Sequence, residues 1–436
     1  MVITSWPASK QAWEQTRTAL GGGVSTGLRA SMKPHPLFFA GGSGPRMTDL
    51  DGNTYLDYVL GWGPVILGHG HPGLTAAVTA QAPLGATYGS GHLLEGEVAE
   101  KVLSRIPGTE RVLWSNTGSE ATQVALRLAR GVTGRQRFIK FGGHYHGWSD
   151  TMLVGYRPGA DGALGLGSRG QNPSSLTDLS LVEWGDLDAV TELLQSPTSD
   201  IAAVFCEPVV VNSGVLMPPD GFLEGLRAIC DATGTVLVFD EVITGFRVAS
   251  GGAVERFAVV PDLVVLAKAI AGGYPLAAIA GKAEILDQVT QGIVHSGTYN
   301  GNPIVLAAAN ATLDALGEPG VYEAFEQHGT SLATGMRTAM ARHDVPGTVN
   351  QVGPLVQCIP GVVGSRSFAD FMAADQEFYD RLIVEMLRRG VFALPGGRWY
   401  LSTAHSDQDV ADTVAVIDDA LGATLAAGPG PVARGR

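Results

Sequence analysis

The sequence predicts an α/β protein built on a mainly parallel sheet covered by helices, and three observations predict it. Short apolar runs rich in Val, Ile and Phe alternate with stretches of helical period. Several of those runs stop on a polar or charged residue, where the carboxyl end of a parallel strand presents its ligands. The length of 436 residues exceeds what one hydrophobic core serves, so the chain is expected to divide into domains.

Each element can be justified in order. Residues 47–50 and 54–59 flank Asp51-Gly52, a dipeptide that suits the positive φ angles of a tight turn, so a hairpin is expected there. Residues 111–115 read as a strand, and residues 120–131 as a helix with Ala121, Val124, Ala125 and Leu128 on one face. Further strands are expected at 138–141, 201–205, 235–239 and 263–266. Residues 223–233 form a helix, and the run 275–281 continues in the same style after the Gly272-Gly273 turn. A long helix over 306–316 stops at Gly317. Residues 1–60 are assigned to a small domain, 61–316 to a large α/β domain, and 317–436 to the C-terminal part of the small α+β domain, built from both termini. The last residues, rich in Gly, Pro and Ala, are expected to fray.

Composition excludes several functions. A formal charge of -13 with no basic cluster argues against nucleic-acid binding. Cys206, Cys230 and Cys358 are an odd set without metal-like spacing, so neither a disulfide framework nor a zinc site is expected. Residues 1–12 lack a basic segment followed by an apolar one, and the longest apolar runs are too short to span a bilayer. A cytoplasmic setting with no membrane partner is expected.

Three strand ends carry candidate chemistry. Asn116-Thr117-Gly118-Ser119-Glu120 joins a strand to a helix, and its first helical amides suit an anion at the positive end of the helix dipole. Thr117 or Ser119 as an ordinary helix cap is the competing reading. Asp240-Glu241 closes a buried apolar strand, which is costly unless each acid is paired. Asp240 could be a structural ion pair, or could face a protonated heterocyclic nitrogen. Lys268 lies among apolar residues; a desolvated amine is nucleophilic, whereas a lysine reaching out to solvent is the bland alternative. Taken together, a phosphate cradle, an acid for a pyridinium and a desolvated amine are the partners that pyridoxal phosphate needs.

At these residues the sequence resembles the class III aminotransferases of pyridoxal-phosphate fold type I, within them the glutamate-1-semialdehyde aminomutase group. The resemblance runs from about Gly21 to about His405. Its strongest segments are residues 115–129, 141–150, 207–215, 238–246, 263–273 and 296–302. It implies that Lys268 carries the cofactor as a Schiff base and shuttles protons, and that Asp240 partners the pyridine nitrogen. It also implies that Val242 and Tyr145 press on opposite ring faces, and that Glu207 and Asn212 support the pyridine side and the ring hydroxyl. Gly118 and Ser119 would hold the phosphate, joined by Thr298 from the second subunit of a homodimer. His144 and His146 have the spacing of a metal pair, but no further ligand cluster accompanies them, so no metal is expected.

The substrate signal rests on fewer residues. Arg29 resembles part of the aminomutase group's substrate-contacting N-terminal segment. Arg398, in Gly396-Gly397-Arg398-Trp399, lies where many class III aminotransferases place a carboxylate-binding arginine. Trp62, and also Tyr88, could supply apolar walls, or simply pack in the core. The aminomutase group carries an acid shortly before the segment matching residues 399–405, and here Leu394-Pro395-Gly396-Gly397-Arg398 has none. That departure favours an amino acid donor, possibly β- or aromatic, and a 2-oxo acid acceptor such as 2-oxoglutarate or pyruvate. Aminomutase is the alternative reading. A non-catalytic module is disfavoured by the presence of Lys268, Asp240 and Tyr145, and a dinucleotide-binding enzyme by the lack of a glycine fingerprint after a strand.

Overall fold

A computed structural model describes residues 2–159 and 162–434. Two compact units emerge: one contains the chain up to Pro72 together with Gly320 onward, the other spans Gly73–Pro319. The first break falls twelve residues beyond the expected one (72 against 60). The loop that follows Leu60 belongs to the first unit because it is bonded there: Gly44 and His69 exchange backbone hydrogen bonds of 2.8 and 2.7 Å, and His69 Nε2 meets Asp57 Oδ2 at 2.7 Å.

The first unit opens with β1 (Phe39–Ser43), β2 (Arg46–Asp49) and β3 (Thr54–Asp57), an antiparallel meander. The Asp51-Gly52 turn stands where the sequence put it. Asp49 Oδ1 accepts from the amides of Asp51 and Asn53 at 2.9 and 2.8 Å, and Gly52 takes φ +82°.

In the second unit seven strands form one sheet: β4 (Arg111–Ser115), β5 (Arg137–Phe141), β6 (Leu179–Val182), β7 (Ile201–Cys206), β8 (Val236–Glu241), β9 (Leu263–Leu266) and β10 (Ala277–Gly281). Their order is β4-β10-β9-β8-β7-β5-β6, parallel from β9 through β6. Strand β10 runs antiparallel to both neighbours. Ten residues, 267–276, separate β9 from β10, and they hold only the short 3-10 turn Lys268–Ala271 and the Gly272-Gly273 reversal. That connection is too short for a helical crossover of a dozen or more residues, so the chain returns beside the strand it left.

Helix Gly118–Thr133 packs on one face of this sheet, placing Ala121, Ala125, Leu126 and Leu128 against Phe138, Phe205, Val238 and Val265. Leu128 is fully buried, so Leu128→Ala would cost about 2–5 kcal/mol through the lost transfer energy and the cavity left behind. The C-terminal part of the first unit adds β11 (Gly347–Val352), β12 (Leu355–Pro360), β13 (Val391–Phe392) and β14 (Arg398–Tyr400). Strand β13 pairs in parallel with β3, so both ends of the chain share one sheet. No helix among the described residues is long and apolar enough to cross a membrane.

Candidate active site

The site is built where β5, β7, β8 and β9 end. Strand β8 carries both acids within it, so Asp240 and Glu241 point to opposite faces. Glu241 accepts from the amides of Ala253 and Val254 at 2.6 and 3.1 Å and from Thr244 Oγ1 at 2.9 Å, which makes it a structural clamp. Asp240 accepts from the Val242 amide at 3.1 Å through Oδ1, and its Oδ2 lies 2.7 Å from His146 Nδ1. Burial pushes the Asp240 carboxyl up to about 6, against the opposing pull of the Val242 amide and of the Lys268 and Lys140 charges. A carboxyl in that condition gains from a further cation nearby.

Lys268 stands just beyond the end of β9, one residue intervening, half-buried, with φ +49°. A left-handed backbone at a non-glycine residue is strained by roughly 1–3 kcal/mol and persists only where the surroundings enforce it. Here buried Ala267, Ala269 and Ile270 hold it on either side.

The helix start gives the cap role of the competing reading to Thr117. Thr117 is the helix cap, accepting from the Glu120 amide at 3.2 Å, while Glu120 Oε2 accepts from the Asn116 and Thr117 amides at 2.9 and 3.0 Å. The amides of Gly118 and Ser119 belong to the first turn, where no intrahelical acceptor exists, and remain available for an anion. Gly118 fits closely against its neighbours: a Cβ there would stand 3.0 Å from Val242 Cγ2. The cradle therefore touches the residue expected to wall the ring.

Tyr145 and His146 reach the same place through a tight loop. Gly147 takes φ +108°, where a Cβ would meet Ser119 Oγ at 2.6 Å, and Thr122 Oγ1 donates to the His146 carbonyl at 2.6 Å. The Tyr145 amide donates to Glu207 Oε1 at 2.7 Å, and Asn212 Nδ2 donates to Glu207 Oε2 at 3.1 Å. Burial and the Asp240 charge raise the Glu207 carboxyl to about 7, opposed by those donors. Burial also raises the half-buried Tyr145 hydroxyl to about 12, which keeps it neutral.

The sequence does not foretell the part that two residues play here. His146 was weighed only as half of a metal pair, yet it binds Asp240. Lys140 is fully buried inside β5, donates to the carbonyls of His144 and Met152 at 3.2 and 2.8 Å, and is lowered by burial to about 7. A lysine inside the apolar run of β5 was the available signal.

Thr298 lies exposed in a loop anchored by Asn300 Oδ1, which accepts from Asn116 Nδ2 at 2.9 Å. Arg29, Trp62 and Arg398 belong to the first unit. Arg29 is exposed on the short helix Gly27–Ala30. Trp62 sits in a run of positive φ angles, Leu60 +48°, Gly61 +64°, Trp62 +74° and Gly63 +106°. Gly63 packs on the Tyr400 ring, where a Cβ would lie 2.9 Å from Cε1, and the Arg398 guanidinium lies 5.5 Å from the same ring's centroid. Tyr400 thus brings the Trp62 turn and Arg398 together. Tyr88 is exposed and donates its hydroxyl to the Leu84 carbonyl at 2.9 Å.

A helix-end cradle, a buried acid wanting a cation and a strained lysine suit pyridoxal phosphate, and the fold around them is that of the fold type I enzymes. Solved structures agree: an omega-transaminase from Sphaerobacter thermophilus superposes with TM-score 0.89 at 30% identity, covering 96% of this chain and 98% of that one. A glutamate-1-semialdehyde aminomutase from Pseudomonas aeruginosa gives 0.88 at 27%, over 96% and 95%. A β-phenylalanine aminotransferase from Variovorax paradoxus gives 0.87 at 28%, over 98% and 96%. Among curated proteins, the glutamate-1-semialdehyde 2,1-aminomutase of Desulfitobacterium hafniense is 41% identical over 95% of this chain and 97% of its own length. Residues 29–405 match the family described as aminotransferase class III, and the chain belongs to that family, whose cofactor is pyridoxal phosphate.

Proposed function

We propose that the protein moves an amino group between carboxylate-bearing substrates, as an aminotransferase with an amino acid donor and a 2-oxo acid acceptor. The carrying observation is the convergence of Lys268, Asp240, His146 and the Gly118-Ser119 helix end at neighbouring strand ends. In this reading Lys268 Nζ holds the cofactor covalently and, once released by substrate, moves a proton from the substrate's α-carbon. Asp240, oriented by His146, keeps the pyridine nitrogen protonated; Gly118 and Ser119 bind the phosphate. Val242 and Tyr145 enclose the ring, while Glu207 and Asn212 fix the loop that carries Tyr145. When bound, pyridoxal phosphate supplies the electron sink that makes the α-proton removable. Thr298 completes the phosphate site of a second copy of the chain in a homodimer, a role its exposure allows.

The names of the curated relatives favour the other form of the chemistry, in which the amino group returns to the same carbon skeleton. Two-substrate transfer is supported by Arg398 beside Tyr400, in a stretch without an acid. Arg29 and Arg398 supply guanidinium groups for carboxylate, and Trp62 an apolar wall. One experiment separates the forms: holoenzyme mixed with glutamate-1-semialdehyde and no oxo acid should not turn over steadily, and sustained isomerisation would establish the aminomutase. Lys268→Ala should abolish the visible absorbance of covalently held cofactor and lower turnover at least about 10³-fold. Wild-type turnover in that variant would sink the assignment. Arg398→Ala should raise KM for a carboxylate substrate about tenfold or more; no change with any of them would remove this arginine.

A further inference from the structure

Tyr145 sits in a closed circuit of contacts that its own loop does not explain. Its amide donates to Glu207 Oε1 at 2.7 Å, and the same carboxyl accepts from Asn212 Nδ2 at 3.1 Å. The Asn212 carbonyl then accepts from Arg157 Nη2 at 2.9 Å. Arg157 lies over Tyr156, its Cζ 4.0 Å from the ring centroid, and the Tyr156 ring packs on the Tyr145 ring with centroids 4.7 Å apart and planes tilted by 56°. The chain of contacts leaves Tyr145 by its backbone and returns by its ring.

Arg157 is the member that both halves share. Its Nη1 donates to the Tyr156 carbonyl and to Ser213 Oγ, each at 2.9 Å, while Nη2 also meets the Tyr156 hydroxyl at 3.2 Å. Ser213 Oγ in turn donates to the Gly143 carbonyl at 2.6 Å, at the root of the loop carrying Tyr145. A planar fork can hold two separate acceptors and stack on an aromatic face at once, which a lysine cannot.

We propose that Arg157 is a positioning residue that sets the tilt of the Tyr145 ring against the cofactor, acting through Tyr156 on one side and Asn212–Glu207 on the other. The inference rests on the reading of Tyr145 as a wall of the cofactor ring. Through it, the loop that carries Arg157 and the loop after β7 jointly determine how the ring is held.

The test uses purified holoenzyme and three readouts: visible circular dichroism of the bound cofactor, its dissociation constant on reconstitution of apoprotein, and the apoprotein unfolding midpoint. Arg157→Met should change the dichroic band and weaken cofactor binding about tenfold, and Arg157→Lys should not restore either. Tyr156→Leu should reproduce the change and Tyr156→Phe should stay near wild type. The double variant R157M/Y156L should be no worse than the single ones, because all act through one circuit. An unchanged dichroic band and affinity in Arg157→Met, or strictly additive losses in the double variant, would overturn the proposal. So would a lowered apoprotein midpoint without any dichroic change, since that marks a purely structural arginine. If Arg157→Met does not fold, the Tyr156 pair decides alone. Tyr145→Ala keeps the two ideas apart: a dichroic band unmoved by that variant defeats the reading of Tyr145 itself, whatever Arg157 does.

Discussion

The two ends of the large sheet handle charge in opposite ways. At the amino ends of β8 and β9, Asp262 is buried but surrounded: Arg227 Nη1 at 2.9 Å, Lys282 Nζ at 2.5 Å and the Leu237 amide at 2.7 Å all serve it. Nearby, Arg135 Nη1 reaches the Ile201 carbonyl at 3.1 Å and Nη2 the Thr233 carbonyl at 2.8 Å, closing off exposed chain ends. At the carboxyl ends, Glu207, Asp240 and Glu241 are pushed up to about 7, 6 and 7 by burial, and the His144 and His146 rings are held well below their ordinary range. One end has complete ion pairs; the other holds acids whose ionisation burial resists. A sheet end built only for stability resembles the first, whereas the second makes physical sense where a ligand brings charge of its own.

Breaking that contrast should give effects of graded size. Asp240→Ala, at the carboxyl end, should lower kcat/KM about 10²–10³-fold while the apoprotein still folds, since an electrostatic partner of the reacting system is lost. Steady-state kinetics alongside far-ultraviolet dichroism would check both halves. Asp262→Ala, at the amino end, should do the reverse. It leaves the buried Leu237 amide without its acceptor and removes one of the two carboxylates that Arg227 meets, Asp231 remaining at 2.7 Å, so stability should fall about 1–3 kcal/mol with kcat/KM of the folded fraction unchanged. A urea titration combined with kinetics at low temperature would show it.

The smallest effect concerns pH. Burial holds the Glu241 carboxyl at about 7, against an ordinary 4.5. Between those values the fold keeps a proton that the unfolded chain has released. The stability this group contributes is therefore present below about 4.5 and lost as pH rises through about 7. Glu241→Gln removes the dependence, so the stability difference between wild type and variant should fall by on the order of 2 kcal/mol from about pH 5 to about pH 8. A difference that stays flat, or rises, would show that the amides of Ala253 and Val254 outweigh burial.

Legibility in the sequence followed how local each cause is. Strands β4 and β9 have the expected bounds because apolar runs and polar punctuation lie within the segments themselves. The antiparallel course of β10 could not be read from its own residues, since direction is set by the connection after β9. Asp240 and Lys268 stand out in the sequence because a charged residue closing or following an apolar run demands a reason. The His146 pairing does not, for its partner lies 94 residues away in sequence. The same holds for Arg157, which meets Asn212 across 55 residues. Trp62 and Arg398 were noted separately, and only the packing of Tyr400 joins them.

The fit of Gly118 against Val242 also constrains how this chain can change over generations. With a methyl group at 118 pressing on Val242 Cγ2 at 3.0 Å, and one at 147 striking Ser119 Oγ at 2.6 Å, neither position accepts a side chain while its neighbour stays as it is. Position 147 stays barred even if Ser119 shrinks, because its φ of +108° strains any side chain and a Cβ would also stand 2.9 Å from the Ser119 Cα, whereas position 118 opens once Val242 gives way by a few tenths of an ångström. Such unequal constraint should hold Gly147 more firmly than Gly118 as the sequence diverges.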